Sequence, residues 1–441
     1  MLRVVESFSG IGSQAKALSN TKIEYEIVHT VDWDINAILA YCMIHKKGID
    51  INKYSNVSDE EILAFLQQRT LSLDGKKPMD TKSLRNLPNK VQRLLYTAIN
   101  DTHNFVSITD IKGIDIPNDI DLFTYSFPCQ DLSLCGCWHG NKSGIAREAC
   151  NRSGMLWEVE RILNEMHENA ITLPKFLLME NVPNILSKQN EADFGSWKST
   201  LEKLGYVNKI YRLSAKNFGV PQKRERAYMI SILCNHNQAL EQAVLGYFER
   251  FNLENVEYAN AQKKRQRHLS DILRLDYQVE KYRAEAEAST PNDTPSRRKI
   301  WEDNDHLYEN GQINDIIVNA VTTKQDRNPN SGVIMYQSLK EGKSSFRYLT
   351  PRECFMLMGF DEDDFDRVIS INMQIKKDRW LYSTDKLIKM AGNSIVVNVL
   401  EAIFIQIDEI NTLFFESRDK ETHIKEYQDI IQNVQLEFDY M

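Results

Sequence analysis

A thiol, a carboxylate and a pair of guanidinium groups in this chain have the types and order that attack on an electron-poor heterocycle needs. Cys129 stands between Pro128 and Gln130, directly after an apolar run (121–127) that predicts a buried strand. A thiolate at the carboxyl end of such a strand lies where open α/β sheets bind their ligands, and the thiolate is the form that attacks. The alternative is a buried structural cysteine, the usual role of a lone thiol.

A carboxylate and two arginines supply the other groups. Glu180 and Asn181 end a second apolar run, which places the acid at the equivalent end of another strand. An acid there can protonate a ring nitrogen, and burial is expected to raise its pKa. Arg224 and Arg226 alternate with charged neighbours, so both guanidinium groups share one face of an extended segment. The alternatives are a helix-capping carboxylate and a salt-bridged strand end.

A glycine turn after the first predicted strand indicates a nucleotide-like ligand. Residues 8–13 join a β-rich run to a helix, as glycine turns that approach nucleotides do. Such turns also serve packing alone, and the third glycine of the G-x-G-x-x-G pattern is missing, because Ala15 and Lys16 stand there. Asp32 ends the next predicted strand, where a carboxylate is well placed to bind ribose hydroxyls.

The elements that must position these residues alternate between strand and helix. The predicted strands are 4–8, 25–32, 107–109, 121–127, 176–182, 209–215 and 226–233. Helical segments lie between the first of them, at 13–18 and 35–45. This alternation predicts an α/β fold with a doubly wound, mostly parallel sheet and helices on both faces.

Two regions interrupt the alternation and set the predicted domain limits. Residues 48–104 are polar with helical pieces and are interpreted as an insertion of unknown role. Residues 236–346 combine charged helix with a loop-rich half and are predicted to form a smaller second domain. The main domain is then formed by 1–235 and completed by 347–441. A chain of 441 residues is long enough for two such domains.

Composition narrows the class of protein. Hydrophobic residues make up 42% of the chain and charged residues 26%, as in soluble globular proteins. No apolar run reaches about 18 residues, so no transmembrane helix is expected, and the first residues show no secretory pattern. The formal net charge of −8 argues against a general nucleic-acid binder, but the charge of a local groove matters more.

The cysteines indicate a reducing environment. Seven of them, an odd number, in a chain without a secretory pattern predict reduced thiols and a cytoplasmic protein. Cys135, Cys137, His139 and Cys150 offer an alternative, a zinc site. Their C-x-C-x-H spacing is not the C-x₂-C arrangement of zinc knuckles, so no metal is predicted.

Taken in order, these blocks resemble those of bacterial DNA (cytosine-5) methyltransferases of restriction-modification systems. The matching blocks are Phe8-Ser9-Gly10-Ile11-Gly12, Asp32-Trp33, Asp110-Ile111, Pro128-Cys129-Gln130, Arg152-Ser153-Gly154-Met155-Leu156, Glu180-Asn181-Val182, Gln222-Lys223-Arg224-Glu225-Arg226, Leu349-Thr350-Pro351-Arg352-Glu353 and Gly392-Asn393-Ser394. The resemblance extends over the first 45 residues, then over 105–235 and 347–405. It implies an S-adenosylmethionine-dependent methyltransferase fold of the Rossmann-like kind, with residues 236–346 as an inserted target-recognition domain.

The resemblance also implies the reaction, which is methyl transfer to carbon 5 of cytosine. Cys129 would add to carbon 6 of the ring, and Glu180 would act on ring nitrogen 3. Arg226 would hold the ring oxygen and the phosphate. The supporting residues would be Gln130, Asn181 and Arg224.

The implied cofactor is S-adenosyl-L-methionine, with S-adenosyl-L-homocysteine as its product. Trp33 would stack on the adenine, Asp110 would meet the exocyclic amine, and Asn393 would hold the methionyl end. The other residues implied at this site are Phe8, Ser9, Gly10, Gly12, Asp32, Ile111, Pro128, Leu156 and Ser394.

The implied partner is double-stranded DNA, from which the target cytosine must be extruded before chemistry can reach it. The residues implied to contact DNA are Ser133, Thr322, Thr323, Lys324 and Arg327. The setting would be the bacterial cytoplasm, without membrane contact. A cognate restriction endonuclease would act on the same sequence without forming a stable complex.

Three other functions remain open at this stage. An RNA (tRNA) cytosine-5 methyltransferase would use the same chemistry, but it would need a much smaller variable region than 236–346. A catalytically silent DNA-binding relative should lose the thiol or the acid, and this chain keeps Cys129 and Glu180. A nicotinamide-dependent dehydrogenase shares only the fold family and would leave the Pro-Cys-Gln block unexplained.

Overall fold

A six-stranded sheet forms the centre of the structure, a computed structural model that describes residues 1–128, 145, 152–262, 265–327 and 329–439. The first strands are β1 (Leu2–Ser7), β2 (Tyr25–Val31), β3 (Leu122–Tyr125), β4 (Phe176–Asn181), β5 (Tyr206–Ser214), β6 (Gln222–Lys223) and β7 (Glu225–Leu233). In the sheet they lie in the order β2-β1-β3-β4-β7-β5, and β6 lies outside it. Only β7 runs antiparallel to its neighbours, so the predicted α/β class with a mostly parallel sheet is confirmed.

Successive residues of the central strands point to opposite faces of the sheet, as strand geometry requires. Val4 and Leu122 pack into one hydrophobic cluster, and their neighbours Val5 and Phe123 pack into another. Helices cover both clusters, which explains why these strands are continuous apolar runs in the sequence. The sheet is therefore doubly wound.

The helices of the first half begin after turns that the sequence marks. These helices are α1 (Ser13–Asn20), α2 (Ile35–His45), α3 (Asp59–Gln67), α4 (Thr81–Arg85), α5 (Asn89–Asp101), α6 (Leu156–Glu168) and α7 (Glu191–Lys203). α1 follows Gly12, whose φ of +81° lies in the left-handed region that glycine adopts without strain. α2 is capped by Asp34, which accepts a hydrogen bond from the Asn36 N–H.

The predicted strand at 107–109 is wrong. Residues Ile108–Asp110 form a 3₁₀ turn, and the chain meets β2 only at an isolated bridge between Thr30 and Asn104. The Phe105 N–H donates to the Thr30 carbonyl, after which the chain leaves the sheet. Asp110 therefore ends a turn and not a strand.

The second half contains short strands and mostly short helices. Its strands are β8 (His306–Glu309), β9 (Gln312–Ile313), β10 (Val318–Asn319), β11 (Val333–Met335), β12 (Phe346–Arg347), β13 (Gln374–Lys376) and β14 (Arg379–Trp380). Its helices are α8 (Gln238–Arg250), α9 (Val256–Gln262), α10 (Leu269–Ile272), α11 (Glu280–Ala288), α12 (Pro295–Glu302), α13 (Pro351–Leu357), α14 (Glu362–Ser370), α15 (Thr384–Asn393), α16 (Val397–Ile410), the π-helical Asn411–Glu416 and α17 (Lys420–Asp439). β12, β11, β8 and β9 form a separate small sheet in that order.

The segment 236–346 is tied closely to the rest of the molecule. Its first helix, α8, lies against α17, and a β-carbon at Gly246 would fall 2.1 Å from the Tyr427 carbonyl oxygen. Farther on, fully buried Arg352 donates to Glu285 Oε1 at 2.7 Å, which joins 236–346 to the segment that follows it. The predicted division at 236 and 346 stays a prediction, because these contacts join the segments on either side of it.

Among the described residues, one helical stretch, 384–416, is apolar and long enough to cross a membrane by length and composition alone. Of its most apolar window, 89% is buried inside the fold. It packs as a core element, and Leu400 and Phe404 within it are fully buried.

Candidate active site

A cavity of about 910 Å³ lies at the carboxyl ends of β1, β2, β3 and β4. Each of these strands contributes residues at its carboxyl end or directly after it: 8–10, 31–34, 126–128 and 180–182. Ligand sites in proteins usually measure about 300–1,000 Å³, so this volume accommodates a nucleoside-sized cofactor and a second ring beside it.

Glu180 supplies a buried acid at one end of this cavity. Its side chain is 12% exposed, and its Oε1 lies 3.2 Å from the Nε of Arg226. Burial raises the pKa of Glu180 above its ordinary value, and the charges of Arg226 and Arg224 oppose that rise. A carboxyl group with a raised pKa keeps its proton to higher pH and can give it to a ring nitrogen, and a raised pKa is what the sequence led us to expect.

Asn181 fixes the backbone next to the acid. Its side-chain amide donates to the Phe127 carbonyl at 3.1 Å, and its side-chain oxygen accepts from the Val182 N–H at 2.8 Å. The first bond ties the end of β4 to Phe127, the residue before Pro128. Pro128 itself lines the cavity. The predicted nucleophile Cys129 comes next in the chain. Cys129, Gln130 and Ser133 lie outside the described residues, as do the cysteines and the histidine weighed as zinc ligands.

Arg224 lines the cavity, but its guanidinium group is held by backbone carbonyls. Nη1 donates to the Val321 carbonyl at 2.9 Å, and Nη2 donates to the carbonyls of Gly392 and Ser394 at 2.8 and 2.9 Å. The side chain is only 4% exposed. One buried cation therefore joins two segments that are distant in the sequence, and we describe Arg224 as a positioning residue.

Gln222 completes this connection, although the sequence analysis assigned it no role. Its Oε1 accepts from the Val321 N–H, and its Nε2 donates to the Leu357 carbonyl, both at 2.9 Å. A β-carbon at Gly392 would lie 2.6 Å from the carbonyl carbon of Thr322, so only glycine permits this approach. The chain entering the predicted DNA-contacting loop at 322–327 is thus fixed to the active site.

The glycine turn forms another part of the cavity. The Gly10 N–H donates to Asp32 Oδ2 and the Asp34 N–H donates to Asp32 Oδ1, both at 2.8 Å. Burial, and then the charge of Asp34, raises the pKa of Asp32 to about 6. The space beside the Gly10 α-carbon is open, because a β-carbon there would have the Phe8 carbonyl oxygen, at 4.0 Å, as its nearest neighbour. Glycine, which has no β-carbon, leaves this space to the cavity. Trp33 lines the same space.

These residues fit S-adenosylmethionine. The open space at Gly10 admits the backbone-near part of a nucleoside, and the ring of Trp33 offers a face for an adenine. Asp32 retains lone pairs beyond its two backbone donors, because each carboxylate oxygen accepts more than one hydrogen bond. Asn393 and Ser394 line the cavity as well, so residues from the N-terminal and C-terminal parts of the chain form one site.

One wall of the cavity comes from the segment that the sequence analysis could not interpret. Residues 73–80 line it, and they are held by buried Ser72, whose hydroxyl donates to the Lys77 carbonyl at 2.7 Å and accepts from the Gly75 N–H. Lys386 also lines the cavity and donates to Asn36 Oδ1 at 3.1 Å, and burial lowers its pKa to about 8. No local sequence pattern predicts that these residues line the site. Their role depends on the tertiary fold, which brings their segments back to the carboxyl ends of the strands.

Several predicted residues are not part of the cavity lining. Gly12 packs against His45, and Ile111 and Leu156 are core residues of the cluster beneath. Asp110 is exposed, and Ser107 and Thr109 line the cavity instead, with their hydroxyls 2.8 Å apart. The predicted DNA contacts Thr322, Thr323, Lys324 and Arg327 lie outside it, on the loop that Arg224 and Gln222 fix.

This chain is similar to known proteins over most of its length. Residues 86–409 match the family model described as C-5 cytosine-specific DNA methylase. The chain is 35% identical to the orphan methyltransferase M.SssI of Spiroplasma monobiae, over 92% of this chain and 97% of that protein. It is 32% identical to the type II methyltransferase M2.ScrFI of Lactococcus lactis subsp. cremoris, over 92% and 99%. The solved structure of the Entamoeba histolytica methyltransferase EhMeth shares the fold, with a TM-score of 0.52 at 15% identity over 93% of this chain and 98% of that one.

Proposed function

This chain belongs to the C-5 cytosine-specific DNA methylase family and is an S-adenosylmethionine-dependent DNA (cytosine-5) methyltransferase, and we propose that it acts through a covalent bond between Cys129 and a flipped-out cytosine. The observation that carries the proposal is the buried acid Glu180, which lines the same cavity as Pro128. Asn181 ties the end of β4 to the backbone just before that proline.

In the covalent route each catalytic group acts on a particular atom of the cytosine ring. The Cys129 thiolate forms a bond to carbon 6, and Glu180 gives a proton to ring nitrogen 3, which receives the displaced electron density. Carbon 5 becomes nucleophilic and takes the methyl group. Loss of the carbon 5 proton to a base then restores the ring double bond and expels the thiolate, and the proton on ring nitrogen 3 returns to Glu180. Arg226, held beside Glu180, binds the ring oxygen.

The cofactor supplies the methyl group as part of a sulfonium, which is a good leaving group. We assign its adenine to Trp33 and its ribose hydroxyls to Asp32, both of which line the cavity. We assign the exocyclic amine of the adenine to Ser107 and Thr109, because these residues line the cavity and Asp110 does not. Asn393 holds the methionyl end. Gln130, Phe8, Ser9, Pro128 and Ser394 complete the proposed site.

The partner of the reaction is duplex DNA, and the segment 236–346 is its recognition domain. Ser133, Thr322, Thr323, Lys324 and Arg327 are the proposed DNA contacts. M2.ScrFI is named a type II methyltransferase, and on that basis we propose a role in protecting bacterial DNA from a restriction endonuclease of the same specificity. The enzyme would work in the bacterial cytoplasm, and it would need no stable complex with the nuclease.

Three measurements test the proposal: methyl transfer, cofactor binding and covalent trapping. The wild-type protein is expected to transfer labelled methyl groups to duplex DNA and not to transfer RNA, and Cys129→Ser should reduce that transfer by more than about 10⁴-fold, as removal of a covalent nucleophile does. Cofactor binding by the variant should be unchanged. Duplexes containing 5-fluorocytosine should form a covalent complex with the wild-type protein only, because fluorine cannot leave as a proton does. Retained activity in Cys129→Ser would refute the covalent route.

A further inference from the structure

Lys386 is a partly buried amine whose two hydrogen-bond acceptors are both uncharged. Its Nζ donates to Asn36 Oδ1 at 3.1 Å and to the Leu381 carbonyl at 2.9 Å. Among the residues that the structure describes, the nearby ion pair joins Lys389 to Asp34 at 3.8 Å, and none contains Lys386. The wall of the cavity therefore holds an amine that no carboxylate pairs with.

The number of acceptors matches the neutral form of this side chain. An ammonium group has three N–H donors, whereas a neutral amine has two donors and one lone pair. The bonds of Lys386 to Asn36 and Leu381 use both donors of the neutral amine, and an ammonium would need a third acceptor. Because Lys386 lines the cavity, a small molecule inside the cavity can approach it.

The charges around Lys386 favour the same form. Burial, and then the charge of Arg379 on β14, lowers the pKa of Lys386 to about 8. The charge of Asp34, before α2, opposes this shift, and that of Lys389 on α15 adds to it. A lysine that is desolvated and lies near other cations is an activated nucleophile, because much of it is unprotonated near neutral pH.

Three further cations line the same cavity with exposed side chains. They are Lys76 and Lys77 of the inserted segment and Arg379 of β14. No ion pair in the described part of the chain contains any of the three. The carboxylates of Asp74 and Asp80 accept from backbone N–H groups of their own turns. This end of the cavity therefore attracts an anion.

The proposed cofactor does not account for these cations. S-adenosylmethionine carries a sulfonium and an ammonium against one carboxylate, so its net charge is positive. A nucleophilic amine reacts with an electrophile, and lysine and arginine side chains bind phosphate. An acyl phosphate combines an electrophilic carbonyl carbon with a phosphate group, so it suits both features of this wall.

We propose that Lys386 is a site of acylation by small acyl phosphates, which the neighbouring cations draw into the cavity. The amine nitrogen forms a bond to the acyl carbon, and the bond from that carbon to the phosphate oxygen breaks. The phosphate leaves with the electron pair of that bond and takes up the proton that the nitrogen loses. Lys386 then carries an uncharged amide.

Acylation changes the cavity in two ways. An amide nitrogen keeps one N–H, so one of the bonds to Asn36 and Leu381 is lost. Asn36 also donates to the Leu73 carbonyl at 3.0 Å, so the change reaches the wall at 73–80. The acyl group itself occupies space in the cavity. The acylated protein should therefore bind the cofactor more weakly, a consequence that rests on the cofactor placement proposed above.

The first test is labelling of the full-length wild-type protein with acetyl phosphate, followed by mass spectrometry of its lysine-containing peptides. Lys386 should be acetylated at least about 10-fold faster than Lys22, which is exposed between α1 and β2. Excess inorganic phosphate should slow the reaction at Lys386, because it competes for the cations. Equal rates at Lys386 and Lys22 would overturn the proposal.

The second test asks whether the cations select the acyl donor. Arg379→Gln should slow acetylation of Lys386 by acetyl phosphate about 10-fold, and acetylation by p-nitrophenyl acetate, which has no phosphate, much less. The control Lys376→Ala should match the wild type, because Lys376 is exposed on the same hairpin but outside the cavity lining. Equal slowing with both donors would show that the cations do not select acyl phosphates. Unchanged acetylation with a DNA-affinity salt slope reduced by about 1 would assign Arg379 to DNA instead.

The third test measures the effect on the cofactor. Protein acetylated at Lys386, and the variant Lys386→Gln, should bind S-adenosylhomocysteine about 10-fold more weakly by titration calorimetry. Lys386→Arg should resist inhibition by acetyl phosphate, and thermal melting verifies that each variant folds. Unchanged affinity after acetylation would refute the effect on the cofactor. If the unmodified wild type binds no S-adenosylhomocysteine, the proposed cofactor site fails, whereas selective labelling of Lys386 would still support the acylation site.

Discussion

The active-site cavity and the loop at 322–327, which carries the proposed DNA contacts, both present polar side chains, but they hold them in opposite ways. In the cavity Asn181 and Arg224 are buried, and each makes hydrogen bonds to backbone atoms. In the loop Lys324 and Arg327 are exposed, and the ion pairs among the described residues of this region include neither of them. The difference follows from what each region must do.

Catalysis requires side chains in fixed positions, and DNA binding requires side chains whose polar groups are free to contact the DNA. A buried polar group must have hydrogen-bond partners, since its desolvation would otherwise cost several kcal/mol. The partners that satisfy Arg224 and Asn181 therefore also fix them in place. A side chain that will bind DNA must exchange water for DNA, so partners within the protein would compete with its ligand. Substitutions in the cavity should consequently have large effects on the rate of methyl transfer, and substitutions in the loop should mainly affect DNA binding.

The largest effect within the cavity is expected for Glu180→Gln. Removal of the acid should lower the rate of methyl transfer by about 10²- to 10⁴-fold, while DNA affinity changes little. Because the acid acts when protonated and burial raises its pKa, the wild-type rate should fall as pH rises through that pKa. The variant should lack this alkaline decline. Pre-steady-state rates measured across pH test both points, and an unchanged pH profile in Glu180→Gln would exclude Glu180 as the acid.

A smaller effect is expected for Arg224→Lys, which tests the link between the two regions. Lysine keeps the charge, but its single ammonium group cannot span the carbonyls of Val321 and of Gly392 and Ser394. Each hydrogen bond to a charged group contributes about 1.5–3 kcal/mol, so kcat should fall by about 10- to 100-fold. The KM values for cofactor and DNA should rise together, and the melting temperature should fall.

The matched control for Arg224 is Arg212→Lys. Arg212 pairs with Glu225 on the same sheet, but its side chain is 58% exposed, and exposed pairs contribute little. This control should retain wild-type kinetics. If Arg224→Lys changed only one of the two KM values, Arg224 would belong to a single binding site and the structural link would be wrong.

The smallest effect is expected for Ser72→Ala, in the cavity wall formed by 73–80. The substitution removes the hydroxyl that donates to the Lys77 carbonyl and accepts from the Gly75 N–H. A loss of about 1 kcal/mol should raise the cofactor dissociation constant by about 5-fold and leave DNA binding unchanged. Titration calorimetry with S-adenosylhomocysteine measures this.

Ser58→Ala is the control within the same inserted segment. Ser58 caps α3 through a capping box, so its loss should cost about 1 kcal/mol of stability without changing cofactor affinity. An equal loss of cofactor affinity in both variants would show that the segment acts through its overall stability and not through the loop that lines the cavity.

The sequence predicted the central strands of the sheet well for a physical reason. β1, β3 and β4 are buried on both faces, so their apolar runs are visible without knowledge of their neighbours. Glu180 and Asn181 follow such a run directly, and their place at the cavity follows from strand direction alone. The strand predicted at 107–109 failed because a short β-rich run does not reveal whether a partner strand is available.

What the sequence by itself determined is the order of strands and helices, the glycine turn and the polar residues at the strand ends, because local backbone preferences and burial decide these. The tertiary structure alone decided that 73–80 closes the cavity, that Gln222 and Arg224 hold Val321, and that α12 faces Arg327 across a groove. These are contacts between residues far apart in the chain. They depend on how the elements pack in space, and no local pattern in the sequence records that packing.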